Sequence, residues 1–577
     1  MLYGVLAAAA LAMCGSAVSA QPWQELIDYT KLKSRVGGAV PTGSGGIISL
    51  VEGTTGGAAA RSYPNLSGVE FTADADPTLP DGVAVSLTDG SGVAGNGFSN
   101  HATGISTQFF GNYSSTAPGA NVVVHYEAGN WLTSQLHYTT NAEPELPLFR
   151  VQNHSWVFSS TNVNEDLSAL RRLDWQIENS DMTAVVGANN AASLSQSAHP
   201  RLLIHAYNAI GVGRSDGYHS RGTTSTYGAG RFKPDIVATH DTLISSSRST
   251  AMVSSAAAML HEVVAGTDAA KSETLKAMLL AGATKQEFAG FIDTMPQSGG
   301  GPLRNVLNPW DRTPTRPLDD ILGAGELNVY NSYLIQLGGQ YAGSQAAPTV
   351  AAGSYGWDYQ DHKNDSAVGD IYYSFEIADG STAEELSIIL AWNTKVTDLN
   401  SEPGTFTPDT DDSVQDLNLE LFDSSGAFLG NLLDQSISTV DNVEHIYQTN
   451  LGAGTYTLKV SGAAEWDYGL AWRMTTKFDE ISADFNEDGV VDGTDFLTWQ
   501  RNVGTLLGAA HSEGDADGDG DVDGDDLTHV QNRVLPSPPM LAASRSAAAI
   551  PEPTTLALAA GALLAAAGWS LRRSRRG

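Results

Sequence analysis

The stretch SSSRSTAMVSSAAAML, Ser245 to Leu260, lies near the middle of a chain of 577 residues. Four of its first five residues are serines, and the remainder is an apolar run rich in alanine. A serine just before an apolar helix is typical of an N-cap, because its hydroxyl accepts a hydrogen bond from the first turn. Small side chains also let a helix approach its neighbours closely. The stretch therefore predicts a buried helix, and the cap does not exclude a chemical role for one of its serines.

The segment before this helix carries a family resemblance. GRFKPDIVA, Gly230 to Ala238, resembles the KPDIVAPG strand and loop of subtilisin-like serine proteases (subtilases). Continued without a gap, that family's GTSMAAPHVAGAAALL falls on the serine-rich stretch, and Ser247 takes the place of the nucleophile. The resemblance implies a serine at the N-terminus of a buried helix, with a backbone N–H directed at a developing oxyanion.

Two upstream segments resemble the rest of the same catalytic triad. GGIISLVEGTTGG, Gly45 to Gly57, has the form of strand, acid and glycine, and it places Glu52 as the acid. NHATGISTQFFG resembles the HGTHVAG helix and places His101 as the base. The order of acid, histidine and serine along the chain is the order found in subtilisin.

Other segments extend the likeness over residues 25 to 340. VVGANNAA lies where the family carries its oxyanion asparagine, which we assign to Asn189, with Asn190 as the alternative. TAPGANV resembles the turn after the histidine helix, and SETLKAMLLAGATK and GAGELNVYNSY resemble the closing helices. The resemblance thus implies an α/β subtilisin-like catalytic domain with a parallel sheet and flanking helices.

The departures from the family pattern concentrate at the site. The acid is glutamate instead of aspartate, and the glycine before the nucleophile has become Ser245. The glycine after the histidine is Ala102, and Arg248 directly follows the proposed nucleophile, where it can crowd the serine or contact substrate. Considered one at a time, the three residues have simpler explanations: Ser247 as a helix cap, His101 as an ordinary polar residue and Glu52 as an acid at the end of a strand. Their order along the chain favours a serine hydrolase, with an inactive subtilase fold as the alternative.

Residues 350 to 478 show a different pattern. DIYYSFEIA, ELSIILAWN, LNLELFD and GTYTLKVSG alternate apolar and polar residues at period two and are separated by turns. This pattern predicts an antiparallel β-sandwich. It resembles the jelly-roll-like domains that follow secreted subtilases.

Two acidic loops in matching register follow the predicted sandwich. DFNEDGVVDGTD begins at Asp484 and DADGDGDVDGDD at Asp515, and each is followed by a helical pattern. Alternating oxygen ligands around a tight glycine turn suit Ca²⁺, which takes six to eight oxygens. We predict that Val490 and Asp521 coordinate the ion through their backbone carbonyls and that the other ligands coordinate through their side chains. The predicted ligands are Asp484, Asn486, Asp488, Val490, Asp492, Asp495, Asp515, Asp517, Asp519, Asp521, Asp523 and Asp526. The duplicated loop and helix resemble a type I dockerin over residues 480 to 535, which implies a cohesin-type partner.

The two ends of the chain predict export. The first 20 residues resemble a secretory signal cleaved before Gln21, and they hold the only cysteine, Cys14, although the true start can lie upstream. Pro551-Glu552-Pro553, an apolar run long enough to cross a bilayer and four arginines resemble the bacterial PEP-CTERM sorting signal. That signal implies a transient membrane anchor and delivery to the cell surface or extracellular matrix. The net charge of −34 argues against nucleic acid as a partner.

We therefore expect a multidomain protein with six segments. They are a signal peptide (1–20), a subtilisin-like peptidase domain (21–345), a β-sandwich (346–478), a small α-helical dockerin-like module with two calcium loops (479–535), a linker (536–550) and a sorting segment with a C-terminal transmembrane helix (551–577). The favoured function is a secreted or surface-sorted serine endopeptidase that cleaves proteins or peptides. A catalytically inactive scaffold assembled through the dockerin is the alternative, and a polysaccharide-degrading component ranks last, because no paired-carboxylate site supports it.

Overall fold

The computed structural model describes most of the chain between residues 22 and 534. The described ranges are 22–54, 61–73, 82–92, 97–191, 198–239, 245–285, 310–400, 402–411, 414–424, 428–478 and 481–534. The predicted signal, linker and sorting segment lie outside them. No helix within these ranges has the length and apolarity needed to cross a membrane.

Helices and strands alternate in the first half of the chain, and strands dominate the second half. The helices are α1 (Pro22–Leu26), α2 (Tyr29–Val36), α3 (Asn100–Phe110), α4 (Ala128–Ser134), α5 (Val163–Ser180), α6 (Ser246–Val264), α7 (Ser272–Gly282), α8 (Val329–Gly338), α9 (Gly493–Asn502) and α10 (Gly524–Val534). The strands of the first half are β1 (Ile47–Glu52), β2 (Arg61–Tyr63), β3 (Ser86–Asp89), β4 (Gly97–Phe98), β5 (Val122–Glu127), β6 (Val151–His154), β7 (Thr183–Gly187), β8 (Ile210–Arg214), β9 (Gly222–Thr223), β10 (Phe232–Lys233) and β11 (Ile236–Ala238). Those of the second half are β12 (Tyr355–Asp361), β13 (Ile371–Ile377), β14 (Ser381–Ala391), β15 (Asn418–Asp423), β16 (Leu432–Ser436), β17 (Val443–Leu451), β18 (Gly454–Ser461) and β19 (Asp467–Phe478).

A seven-stranded sheet forms the centre of the first half, in the order β3–β5–β1–β6–β7–β8–β11. Every neighbouring pair in it is parallel. From β1 the chain forms the edge strand β3, returns to form β5 beside β1, and then crosses to the other side, where β6, β7, β8 and β11 follow outward. In open parallel sheets, ligands bind beyond the carboxyl ends of the strands at the point where the order reverses. The end of β1, at Glu52, is such a point.

Both faces of this sheet are covered, as parallel sheets require. Leu50 and Val185 face one core, which α3, α6 and α7 complete. Val51 and Val186, the next residues along the same strands, face a second core, which α5 completes. The predicted α/β architecture with a parallel sheet and flanking helices is confirmed.

Helix α6 lies very close to strand β7. A Cβ atom built on Gly187 would lie 2.9 Å from the Thr250 hydroxyl, so glycine is required at this contact. Ala251, Ala256 and Ala257 on the same helix are fully buried. The alanine and serine content of the stretch thus allows most of the helix to be buried among its neighbours.

The second half forms the predicted antiparallel sandwich. Its two four-stranded sheets run in the orders β12–β19–β14–β17 and β13–β18–β15–β16. Apolar side chains from both sheets, including Phe375, Ile388, Leu419 and Trp472, form one core between them.

The sandwich is packed directly on the first half. A Cβ atom on Gly469 in β19 would lie 2.4 Å from the Cα atom of Thr274 in α7, so a strand backbone touches a helix backbone. The side chain of Asn208 donates to the Thr394 carbonyl at 3.0 Å and accepts from the Thr394 N–H at 2.7 Å. The two halves therefore share a polar and an apolar contact surface.

The acidic module after β19 has a small core of its own, formed by Ala483, Phe485, Ala516 and Val530. Its second loop also rests on the sandwich. The Phe478 N–H donates to the Asp517 carbonyl at 2.6 Å, and the Thr476 hydroxyl donates to the Gly518 carbonyl at 2.7 Å. The second loop is therefore held against the end of β19.

Substitution Asn208→Ala is expected to lower the free energy of unfolding by about 2 kcal/mol. It removes the hydrogen-bond partner of both the backbone N–H and the backbone carbonyl of buried Thr394. Chemical denaturation of the purified chain measures this loss. The control is Asn164→Ala, at an exposed position in α5, where a change within about 0.5 kcal/mol is expected. Equal losses in the two variants would contradict the role of the Asn208 contact.

Candidate active site

Glu52 and His101 form a hydrogen-bonded pair at the carboxyl end of β1. The Glu52 side chain is fully buried, whereas 40% of the His101 side chain is exposed. Glu52 Oε2 lies 2.7 Å from His101 Nδ1. The structure thus brings together the predicted acid and base, with the ring's other nitrogen left for a proton transfer.

Local capping fixes the position of His101. Helix α3 begins at Asn100, and the Ser99 hydroxyl accepts a hydrogen bond from the Ala102 N–H at 3.2 Å. His101 therefore lies in the first turn of the helix, beside the end of β1. The sequence places both members of the pair on rigid elements.

The pair also shifts the two pKa values. Burial raises the pKa of Glu52, and the hydrogen bond from His101 opposes that shift. The hydrogen bond to Glu52 raises the pKa of His101, whereas burial and the Arg248 guanidinium lower it. Glu52 therefore stabilises the protonated imidazole, as a base that takes up a proton requires.

Ser247 lies in the first turn of α6, after the N-cap residue Ser245. Its hydroxyl donates to the Ser155 carbonyl, just beyond β6, at 3.4 Å, and the Ser155 hydroxyl donates to the Ser247 carbonyl at 2.9 Å. Within the described residues, no hydrogen bond joins Ser247 to His101. The predicted triad therefore has its acid–base link formed, while its serine hydroxyl is held by a long bond to Ser155. The sequence gives no signal for Ser155.

The two asparagines after β7 have different surroundings. The Asn190 side-chain oxygen accepts from the Ser246 N–H at 2.9 Å and so contributes to capping α6. The backbone of Asn189 is fixed by Ser220, through bonds of 3.0 and 2.7 Å, and its side chain is partly exposed. Both lie close in sequence to the carboxyl end of β7, and the assignment of Asn189 to an oxyanion stays a prediction.

The two acidic loops have the same internal hydrogen bonds. Asp484 accepts from the Gly489 N–H at 2.8 Å, and Asp515 accepts from the Gly520 N–H at 3.0 Å. The last acid of each loop, Asp495 or Asp526, accepts from the backbone N–H groups of the loop at two points. The duplication predicted from the sequence is therefore present in the structure.

The donor set fits a calcium ion. In the second loop, carboxylate oxygens of Asp515, Asp517 and Asp519 lie within 4.8 Å of one another, and so do those of Asp521, Asp523 and Asp526. Burial and neighbouring carboxylates raise the pKa of Asp517 to about 6. Hard oxygens crowded in this way are stabilised by a divalent cation. The roles of the Val490 and Asp521 carbonyls stay predictions.

One contact of the second loop was not predicted from the sequence. The guanidinium of Arg35, on α2, forms ion pairs with Asp521 and Asp523. The side chain of Arg35 is only 11% exposed. A cation from the first half of the chain is thus bound to a predicted calcium loop.

Family models match two parts of the chain. Residues 482–535 match the dockerin type I domain, and residues 549–574 match the PEP-CTERM protein-sorting motif. These matches confirm the two resemblances read from the C-terminal sequence. No curated protein matches the chain.

Solved structures with some likeness include serine proteases. That of Aeromonas sobria, in complex with its chaperone, is 13% identical with a TM-score of 0.32, and the match covers 76% of this chain and 89% of the other. MycP1 from Mycobacterium smegmatis is 15% identical with a TM-score of 0.32, over 56% of this chain and 86% of the other. A chain of the subtilase cytotoxin SubAB is 15% identical with a TM-score of 0.32, over 54% and 95%.

Substitution Glu52→Gln is expected to lower the pKa of His101, because the hydrogen bond to the carboxylate is the largest cause of its raised value. NMR titration of the His101 ring measures the shift. Glu145→Gln, which changes a carboxylate beside His137, is the control and should leave His101 unchanged. An unaltered His101 titration in Glu52→Gln would contradict the pairing.

Substitution Arg35→Met is expected to lower the free energy of unfolding by roughly 3 kcal/mol in the absence of calcium, because the carboxylates of Asp521 and Asp523 lose their cationic partner. Calcium should reduce the loss, since it neutralises the same loop. Thermal unfolding in a chelator and in excess calcium tests this. Arg501→Met, at an exposed residue of α9, is the control. A loss of the same size in both conditions would contradict the coupling.

Proposed function

We propose that this protein is a surface-sorted serine endopeptidase that uses Glu52, His101 and Ser247. The observation that supports it best is the 2.7 Å bond between Glu52 and His101 at the carboxyl end of β1. A buried carboxylate bound to Nδ1 of a partly exposed histidine is the orienting half of a nucleophilic triad. The serine-rich start of α6 supplies the nucleophile.

In the proposed reaction, the Ser247 hydroxyl turns from the Ser155 carbonyl toward His101 Nε2. His101 accepts the hydroxyl proton as Ser247 attacks the scissile carbonyl carbon, and Glu52 holds the ring and stabilises the imidazolium. The Ser247 N–H and the Asn189 amide donate to the oxyanion. His101 then gives its proton to the leaving amine, and water hydrolyses the acyl-enzyme.

The remaining segments suggest how the enzyme is delivered and attached. The PEP-CTERM motif supports export and surface sorting, with transient anchoring through the C-terminal segment. The dockerin type I match supports calcium as the ion of the two loops and a cohesin-type protein as the partner. Calcium would be held by the carboxylates of the loops and would fix their conformation.

An inactive scaffold is the second candidate, and the Ser247–Ser155 bond favours it. A hydroxyl that donates to a carbonyl at 3.4 Å must break this bond before it can act as a nucleophile. In this alternative, Ser247 and Ser155 only join the start of α6 to the end of β6. The Glu52–His101 pair would then join the end of β1 to the start of α3 without taking part in a reaction.

Labelling with a fluorophosphonate probe separates the two candidates. The folded chain should label at Ser247, and Ser247→Ala should abolish the label. Ser34→Ala, at an exposed serine of α2, is the control and should label normally. Labelling should rise with pH through the raised pKa of His101, because only the neutral ring accepts the proton. A folded chain that takes no label would support the scaffold.

A further inference from the structure

The guanidinium of Arg248 lies near His101, over the first turns of α3. Arg248 directly follows Ser247 in the first turn of α6. Its Nη2 atom is 3.0 Å from the position that a Cβ atom on Gly104 would take. Gly104 follows His101 by three residues on α3, so the two share one face of the helix. The electrostatic effect of Arg248 on the pKa of His101 agrees with this proximity.

Arg248 forms no ion pair with any of the described residues. Arg214, Arg312 and Arg473, in contrast, are each paired with a carboxylate. Burial lowers the pKa of Arg248, and no carboxylate among the described residues opposes that shift. A partly desolvated cation is stabilised by an anion, and the described part of the chain supplies none here.

The lack of a side chain at residue 104 leaves room for this guanidinium. A Cβ atom at Gly104 would contact Nη2 more closely than ordinary van der Waals distance allows. Gly104 also lies inside α3, where glycine is less favourable to the helix than alanine. Glycine at residue 104 therefore lowers the helix propensity of α3 and leaves a space beside the helix, which Arg248 occupies.

We propose that Arg248 is a specificity-determining residue that binds a carboxylate of the substrate close to the scissile bond. This inference rests on the proposed peptidase function and names the class of substrate, peptides with a negative charge beside the cleavage point. A guanidinium binds a carboxylate through two parallel hydrogen bonds, which fixes the orientation of the peptide as well as its affinity. The carboxylate is that of an acidic side chain or that of the peptide's C-terminus.

The test uses the full chain and pairs of internally quenched peptides. One pair differs only by glutamate or glutamine next to the bond, and a second pair differs only by a free or an amidated C-terminus. We expect kcat/KM to be at least about tenfold higher for the charged member of one pair, the size typical of a charge-assisted hydrogen bond. The pair that shows the preference identifies the source of the carboxylate.

Two variants assign the preference to Arg248. Arg248→Met removes the charge and should bring the ratio within each pair to about one. Gly104→Ala keeps the charge and requires Nη2 to shift by a few tenths of an ångström, so it should reduce the ratio only in part, while the favourable helix propensity of alanine preserves folding. A wild-type ratio near one, or a preference that persists in Arg248→Met, would overturn the proposal.

Binding to the Ser247→Ala variant separates this inference from the proposed function. Fluorescence anisotropy with the same peptides should show the charged member bound more tightly, and adding Arg248→Met should remove the difference. If the probe does not label Ser247 but binding still discriminates through Arg248, the peptidase function fails and the carboxylate site stands. If neither peptide binds, or both bind equally, the carboxylate site is wrong.

Discussion

Helix α6 lies directly against the central sheet because strand β7 has a glycine, Gly187, at its contact with Thr250. A Cβ atom at residue 187 would lie 2.9 Å from the Thr250 hydroxyl, which leaves no space for a side chain there. The close approach of α6 to the sheet brings its first turn, which contains Ser247, within hydrogen-bonding distance of the residues that follow β6 and β7. The distance from helix to sheet therefore fixes the position of Ser247 relative to the ends of β6 and β7. A side chain at residue 187 would force α6 away from the sheet and would move Ser247 with it.

The electrostatics of the cleft depend on one buried charge. Glu52 is fully enclosed, and its ionised form would be costly without the His101 ring within hydrogen-bonding distance. Arg248 acts on the same ring in the opposite direction. His101 therefore lies between a carboxylate that favours its protonation and a guanidinium that disfavours it. This balance moderates the upward shift of the His101 pKa that the carboxylate alone would produce.

The sequence predicts the two members of the acid–base pair through the family resemblance, which assigns Glu52 to the end of a strand and His101 to the start of a helix. The structure brings these two side chains within 2.7 Å of each other. Ser155 and Arg35 were missed, because a residue that acts through a single contact with a distant element leaves no local pattern. The long strand β19 has no period-two pattern that would predict it, because all residues from Asp467 to Met474 are buried. Arg473 is among them, and it is paired with Glu385 at 2.7 Å.

Gly104 and Arg248 are complementary in the structure, because Nη2 of the guanidinium lies 3.0 Å from the position that a Cβ atom at residue 104 would take. A change at either residue is therefore expected to affect the other.

The contact between the acidic module and the rest of the chain also depends on the neutralisation of charge. The chain carries 65 acidic and 31 basic side chains, and its single cysteine excludes an internal disulfide. An acidic loop that packs on such a chain is opposed by repulsion unless a cation offsets it. Arg35 supplies one from α2, and calcium would supply another at the loop itself. Because Arg35 forms an ion pair with Asp523, which is also a predicted calcium ligand, calcium bound to the second loop would be coupled to the position of α2.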